Sequence, residues 1–201
     1  MKKHDINEAQ VNKSRDGENS VLMYLRDFVT WLIVILVVFL LLFRTVVVSG
    51  PSMNNTLVHG DYLLLLNNVL YRNPQQGDIV VAAKDSYKDG EPIIKRVIAT
   101  EGQWVNIDFE TGVVYVNGNE LVEPYVNTPT NLFEGVEFPI MVDEGCVFVM
   151  GDNRNQSKDS RSMEIGQIDK REIVGRAILI IIPGMDPESG EKNFSRIGAL
   201  S

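Results

Sequence analysis

Three short segments of the chain carry side chains able to do chemistry together. In residues 49–57, Ser-Gly-Pro-Ser-Met-Asn-Asn-Thr-Leu, Ser52 stands between a proline and a methionine with nothing to cap and no evident turn to close. Its hydroxyl is open to nucleophilic work if a base reaches it; the plain alternative is a solvated linker serine. Residues 92–99, Pro-Ile-Ile-Lys-Arg-Val-Ile-Ala, are apolar on both faces, as an interior strand is. Alternation places Lys95 with Ile93 and Val97, and Arg96 with Ile94 and Ile98 on the other face, so one cation must enter an apolar environment or find a partner. A desolvated lysine falls about 2 to 3 below its usual pKa of about 10.4, and the neutral amine it then offers is a general base. An edge-strand lysine with its head in water is the competing reading.

The third segment, residues 151–161, reads Gly-Asp-Asn-Arg-Asn-Gln-Ser-Lys-Asp-Ser-Arg. It is dense in groups that bond backbone or pair charge, the pattern of a tightly held loop. Asp152, Arg154, Asp159 and Arg161 are placed to form ion pairs that fix its shape. The interleaved arginines oppose a calcium ion, and the spacing is not that of an EF-hand. Only His4 and His59 carry imidazoles, and a Ser-His-Asp triad would need His59 to fold back on Ser52 through what looks like a turn at residues 58–61.

The elements that must position these groups follow from composition and pattern. A chain of 201 residues, 44% hydrophobic and 23% charged, suffices for one domain and an accessory segment. A net charge of -8 excludes a broad basic surface for nucleic acid. One cysteine, Cys146, excludes an internal disulfide or a Cys-rich zinc site and reads as a core residue. No metal or cofactor is expected.

Residues 28–43 contain no charge, Gly or Pro. With residues 44–48 the run is long enough as a helix to cover about 31 Å, close to a hydrocarbon core of about 30 Å. A helix apolar on every face would need a large protein around it if it were not in lipid. Cleavage as a secretory signal near residues 47–49 would cut into the Ser52 motif, so an uncleaved anchor at 27–48 is expected. Lys2, Lys3, Lys13, Arg15 and Arg26 precede the span, whereas after Arg44 the next base is Arg72. The N-terminus is therefore expected in the cytoplasm and the rest outside.

Residues 1–26 form the expected cytoplasmic tail, mobile over 4–20. Beyond the span, strands are expected at 62–66, 79–83, 92–99, 104–109, 113–116, 119–122, 147–150 and 177–182, with Asn117-Gly118 as a hairpin turn. The fold class is mainly β: an N-terminal transmembrane helix followed by an antiparallel-sheet domain, open barrel or sandwich-like, over 49–183. Residues 184–201 lack alternation and are expected to be a flexible C-terminal tail.

The Ser-Gly-Pro-Ser-Met motif after an anchor, Gly77-Asp78-Ile79-Val80, Lys95-Arg96 in a strand, and residues 151–161 occur together and in that order. In this the chain resembles a type I signal peptidase of the short, single-span bacterial kind over about residues 20 to 182. The resemblance implies a membrane-bound serine endopeptidase that removes signal peptides from exported precursors at small-x-small (Ala-x-Ala) sites through an acyl-enzyme. It implies Ser52 as nucleophile, Lys95 as general base, Ser157 as the hydroxyl orienting the lysine, and Asp159, Arg161, Asp152 and Arg154 as braces. Val48, Met53, Leu57, Ile93 and Ile94 would line the pockets for the small residues, with Gly50 beside them. Gly50 stands where some members supply a serine hydroxyl to the oxyanion hole, which leaves the backbone N–H of Ser52, and Asn55 stands where the family usually has proline. The implied partners are precursors and membrane lipid, with the enzyme a monomer. Two rivals differ in kind: an anchored assembly or chaperone module on the same scaffold, which would have no need of Ser52 or Lys95, and a self-cleaving repressor-type protease, which the anchor and the missing DNA-binding domain oppose.

Overall fold

The computed structural model describes residues 2–187 and 189–200, with side chains from residue 21 onward except that of residue 88. The chain divides into two units, residues 1–41 and 42–201. The first is one helix, α1 (Lys2–Leu42), which runs through residues 4–20 where the sequence suggests an irregular tail; the side chain of His4 is outside the described ones. Residues 21–42 are apolar on all sides and none of the side chains is buried against protein. Twenty-two residues of helix cover about 33 Å, enough to cross a bilayer. The polar break in this run, Arg26 beside Asp27, is internally paired at 3.1 Å.

The helix stops at Leu42, short of the expected 48, because Thr45-Val46-Val47-Val48 are β-branched and have a strand to join. Phe43–Val47 form β1, paired antiparallel with β2 (Tyr62–Asn67) from Phe43 opposite Leu66 to Val47 opposite Tyr62. The anchor is thus shifted towards the N-terminus relative to the expected span.

The other strands are β3 (Ile79–Ala82), β4 (Ile93–Thr100), β5 (Trp104–Asp108), β6 (Val113–Val116), β7 (Asn119–Glu120), β8 (Ile140–Met141), β9 (Cys146–Met150), β10 (Ile168–Asp169), β11 (Ile173–Ile182) and β12 (Gly198–Ala199). They make two antiparallel sheets, β1-β2-β11-β3-β4-β9-β10 with β12 added to β11, and β7-β6-β5-β8. The fold is mainly β, as the alternation and turn residues imply. β4 pairs with β9 from Arg96 opposite Met150 to Thr100 opposite Val147, with a bulge between Val97 and Ala99.

Three apolar clusters hold this unit together. Ile98, Ala99, Val105, Ile107, Val114, Phe148 and Met150 join the two sheets. The odd face of β4 packs Val97 with Val80, Val147 and Val149. On the other side Met53 and Leu57, from the segment after β1, lie against Leu63, Leu65, Val81 and Ile94. Each such buried aliphatic side chain stabilises by roughly 1.5–3 kcal/mol. The two chemically important segments are therefore fixed from below by core packing. Cys146 packs at the edge of the cluster between the sheets, and burial pushes its thiol pKa up.

The expected flexible tail is ordered instead. Beyond β11 the chain bends at Gly184, bridges Met185 to Lys192, and adds β12 to β11, with Leu200 on the core.

Candidate active site

Residues 48–61 form a closed loop. Its neck is zipped by Val48 N–H to the Asp61 carbonyl and Gly60 N–H to the Val48 carbonyl, both 2.9 Å. Inside, Leu57 N–H bonds the Met53 carbonyl at 2.8 Å, and the buried Met53 and Leu57 anchor the turn in the core. Gly50 sits at φ +85°, a left-handed conformation that disfavours any side chain, so a serine there would be strained. Ser52 is left half-buried at the rim. Its carbonyl accepts from Asn153 N–H at 3.1 Å, and the Asn153 side-chain amide reaches the Pro51 carbonyl at 3.1 Å. Its own N–H donates to no protein acceptor among the described residues.

Lys95, from the middle of β4, is 5% exposed, and its Nζ lies 2.9 Å from Ser52 Oγ. Burial is the main influence on it and, with Arg161, outweighs Asp159, Glu134 and Asp152, lowering its pKa from 10.5 to about 8. That raises the neutral amine near pH 7 by a factor of about 300, to about a tenth of molecules. His59 does not reach Ser52; its Nδ1 accepts from Gly50 N–H at 3.3 Å.

Arg96, on the opposite face of β4, does find a partner. Its Nε and Nη2 grip the two oxygens of the fully buried Asp152 at 2.9 and 2.8 Å, its Nη1 reaches the Gly77 carbonyl, and its guanidinium lies 3.9 Å over the Tyr125 ring. Asp152 Oδ2 also accepts from Thr56 Oγ1 at 2.5 Å. One carboxylate thus ties β4, the loop at 151–161 and the Ser52 loop together.

The ion pairs within 151–161 are only partly those expected. Asp159 and Arg161 do pair, through Arg161 Nε to Oδ1 at 2.8 Å and Nη2 to Oδ2 at 2.9 Å. Asp152, however, pairs outside the segment with Arg96, and Arg154 pairs bidentately with Glu123 and also donates to Thr130 Oγ1 at 2.9 Å. Ser157 Oγ donates to Asp159 Oδ2 at 2.8 Å, so its proton points to the carboxylate and its lone pairs remain as acceptors. The need of Arg96 for a partner follows from the strand pattern, but Thr56, Glu123 and Glu134 carry no local signal, because each meets its partner from a distant part of the chain. Gly151 is different, because a Cβ there would lie 2.2 Å from Ser157 Oγ and 2.5 Å from the Ser52 carbonyl oxygen. The glycine opening the Gly-Asp-Asn-Arg run was the available clue.

A cleft of about 320 Å³ opens beside the serine, lined by residues 46–53, Ile93, Ile94, Lys95 and Lys158 among others. Val48, Gly50, Met53, Ile93 and Ile94 border it. Leu57 does not: it is 0% exposed and lies wholly in the core, because the turn that presents Ser52 points Leu57 inward.

Residues 21–182 match the model of the family described as signal peptidase, peptidase S26. The chain is 32% identical over 179 residues to signal peptidase I of Bacillus licheniformis, covering 85% of this chain and 94% of that protein. It is 35% identical over 150 residues to signal peptidase I T of Bacillus subtilis, covering 71% and 75%. A crystal structure of a signal peptidase I from Enterococcus faecalis superposes with a TM-score of 0.42 at 29% identity, covering 52% of this chain and 96% of that one. With the family match spanning residues 21–182 and 85% of this chain aligned to the Bacillus licheniformis protein, the chain belongs to the signal peptidase I family, membrane-anchored serine proteases that remove signal peptides from precursor proteins.

Proposed function

We propose that the chain is a signal peptidase working through a Ser52/Lys95 dyad and cutting after small-x-small, Ala-x-Ala-like sites. The observation that carries this is the 2.9 Å contact between Ser52 Oγ and the buried Lys95 Nζ. Neutral Lys95 takes the hydroxyl proton as Oγ attacks the scissile carbonyl, and the Ser52 N–H donates to the oxyanion. The resulting ammonium gives its proton to the leaving amine, and the signal peptide stays as an ester on Ser52. Lys95 then takes a proton from the water that attacks the ester carbon and returns it to Ser52 Oγ as the acyl–Oγ bond breaks, releasing the signal peptide as a carboxylic acid and restoring the dyad. Ser157, its proton held by Asp159, is assigned to orienting the lysine amine; Arg161, Asp152 and Arg154 hold the loop that carries it. The cleft formed by Val48, Gly50, Met53, Ile93 and Ile94 suits small side chains in an extended peptide laid along a strand edge.

The surplus of Lys and Arg before the anchor supports a cytoplasmic N-terminus, with the β domain outside the cytoplasmic membrane and in contact with its lipid. Both dyad members come from one chain, which supports a monomer. The rival assembly role gives no reason for a lysine to be buried against a serine hydroxyl. Incubating the detergent-solubilised protein with a secretory precursor, beside Ser52→Ala and Lys95→Ala, tests the reading. Cleavage after a small-x-small site, located by mass and lost in both variants, is expected; no cleavage by the folded parent with several precursors overturns it.

A further inference from the structure

The residues after 182 lie beyond the family match, yet they return to the loop that carries Ser52. Gly184 N–H donates to Asp61 Oδ1 at 2.7 Å, and a Cβ on Gly184 would sit 2.2 Å from the His59 carbonyl oxygen, so the chain passes directly over the neck of that loop. Further on, a single 3-10 turn, Phe194–Arg196, is capped by Asn193, and Leu200 N–H bonds the Ile178 carbonyl at 3.0 Å. From between these fixed points Arg196 reaches inward. Its Nη1 and Nη2 meet the two oxygens of Asp61 at 2.8 and 2.7 Å, and Nη2 also donates to the Thr56 carbonyl at 3.1 Å. Asp61 is 0% exposed and also accepts from Val58 N–H.

Asp61 and Thr56 belong to the same loop, one at its neck and one just after the serine turn. A planar guanidinium is the side chain able to bridge a carboxylate bidentately and a carbonyl at once. The same Thr56 is also fastened through its side chain, Oγ1 donating to Asp152. We propose that Arg196 is a positioning residue: the C-terminal segment uses its guanidinium to lock the nucleophile loop so that Ser52 Oγ stays in reach of Lys95 Nζ. The proposal rests on the dyad reading above.

The test compares Arg196→Ala, Arg196→Lys and Ser52→Ala with the parent, all as detergent-solubilised full chains, on a peptide with a small-x-small site from pH 6 to 9. Misplaced reacting groups lower turnover, so Arg196→Ala is expected to lose at least about tenfold in kcat with KM within about twofold. The midpoint of its pH profile is expected to stay that of the parent, because Lys95 itself is untouched. Arg196→Lys recovers only part, since an ammonium cannot reproduce the fork, and added guanidinium ion restores turnover in Arg196→Ala but not in Arg196→Lys. A purely structural arginine would lower thermal stability while leaving kcat per folded molecule unchanged, and that result overturns the proposal. If Arg196→Ala does not fold, parent-like kcat in the charge-conserving Arg196→Lys overturns it equally. Full activity in Ser52→Ala would instead remove the dyad on which the proposal stands.

Discussion

Replacing Lys95 by methionine should abolish cleavage and make the protein more stable. The perturbation keeps a flexible apolar stem and removes the buried amine. Burial lowers the lysine pKa from 10.5 to about 8, so in acid and neutral solution the folded chain carries an ammonium it disfavours. At about 1.36 kcal/mol per pKa unit the penalty is about 3 kcal/mol at pH 6. Between pH 8 and 10.5 the unfolded chain binds the proton that the folded chain has released, so stability rises with pH and the penalty shrinks, to about 2 kcal/mol at pH 9 and under about 0.5 at pH 10.5. Methionine also forfeits the 2.9 Å bond to Ser52, worth about 1 kcal/mol. The net gain at pH 6 is about 2 kcal/mol, or a rise in Tm of about 4–8 °C for a domain of this size. Thermal unfolding of parent and Lys95→Met in detergent, followed by near-UV circular dichroism from pH 6 to 10, measures it. A variant less stable than the parent at pH 6, or a difference that does not shrink with pH, would refute the claim that Lys95 is held against its preferred protonation state.

The same lysine sets the pH dependence of catalysis: kcat/KM should fall tenfold per pH unit below a midpoint near 8, and a midpoint near the ordinary imidazole value of about 6.5 would implicate histidine instead. Gly151→Ala should push a methyl into Ser157 Oγ and the Ser52 carbonyl, costing about 1–3 kcal/mol and a large part of kcat; parent-like melting and turnover would show that the two loops yield. Arg96→Met leaves Asp152 buried and uncompensated, a loss of about 3–5 kcal/mol in urea unfolding, part of which returns when Asp152 is also replaced by leucine; equal stabilities for the single and double variants would contradict the coupling.

Much of the site is legible because its signals are local. Two-sided apolarity marks β4 as interior, and period-2 alternation alone separates Lys95 from Arg96. The pattern asks Arg96 for a partner and the loop charges for ion pairs, but which partners is not legible: Asp152 meets Arg96 across 56 residues, and Arg154 meets Glu123 across 31, separations no local pattern spans. β1 was hidden because Phe43–Val47 continues the apolar run of the anchor with no turn residue between. The C-terminal segment reads as flexible because its order comes from Arg196 and Asp61, 135 residues apart, and from a two-residue strand too short to show alternation. Leu57 is implied for the cleft only by its place in the motif, whereas the turn closed by its N–H on the Met53 carbonyl packs it into the core.

The pairing of charges around Lys95 also explains why burial prevails there. An ammonium inside a chain of net charge -8 should find carboxylates to stabilise it. Asp159 does so most, yet its Oδ1 is held by Arg161 and its Oδ2 by Gly151 N–H, Ser157 Oγ and Arg161 Nη2. Asp152 is neutralised by Arg96, and Glu134, whose carboxyl burial pushes up in pKa, faces Arg161 at 3.9 Å. Each acid that would keep the lysine protonated is thus already matched to an arginine, and desolvation decides the outcome. The arginines of the loop and of β4 therefore act twice, fixing the geometry and leaving the amine poorly stabilised as a cation. Removing one would loosen the loop and free a carboxylate to raise the lysine pKa, so both effects of such a change reduce the neutral amine that can meet Ser52. A histidine base would titrate near neutrality without help; a lysine base requires a buried strand and neutralised acids, which β4 and residues 151–161 supply.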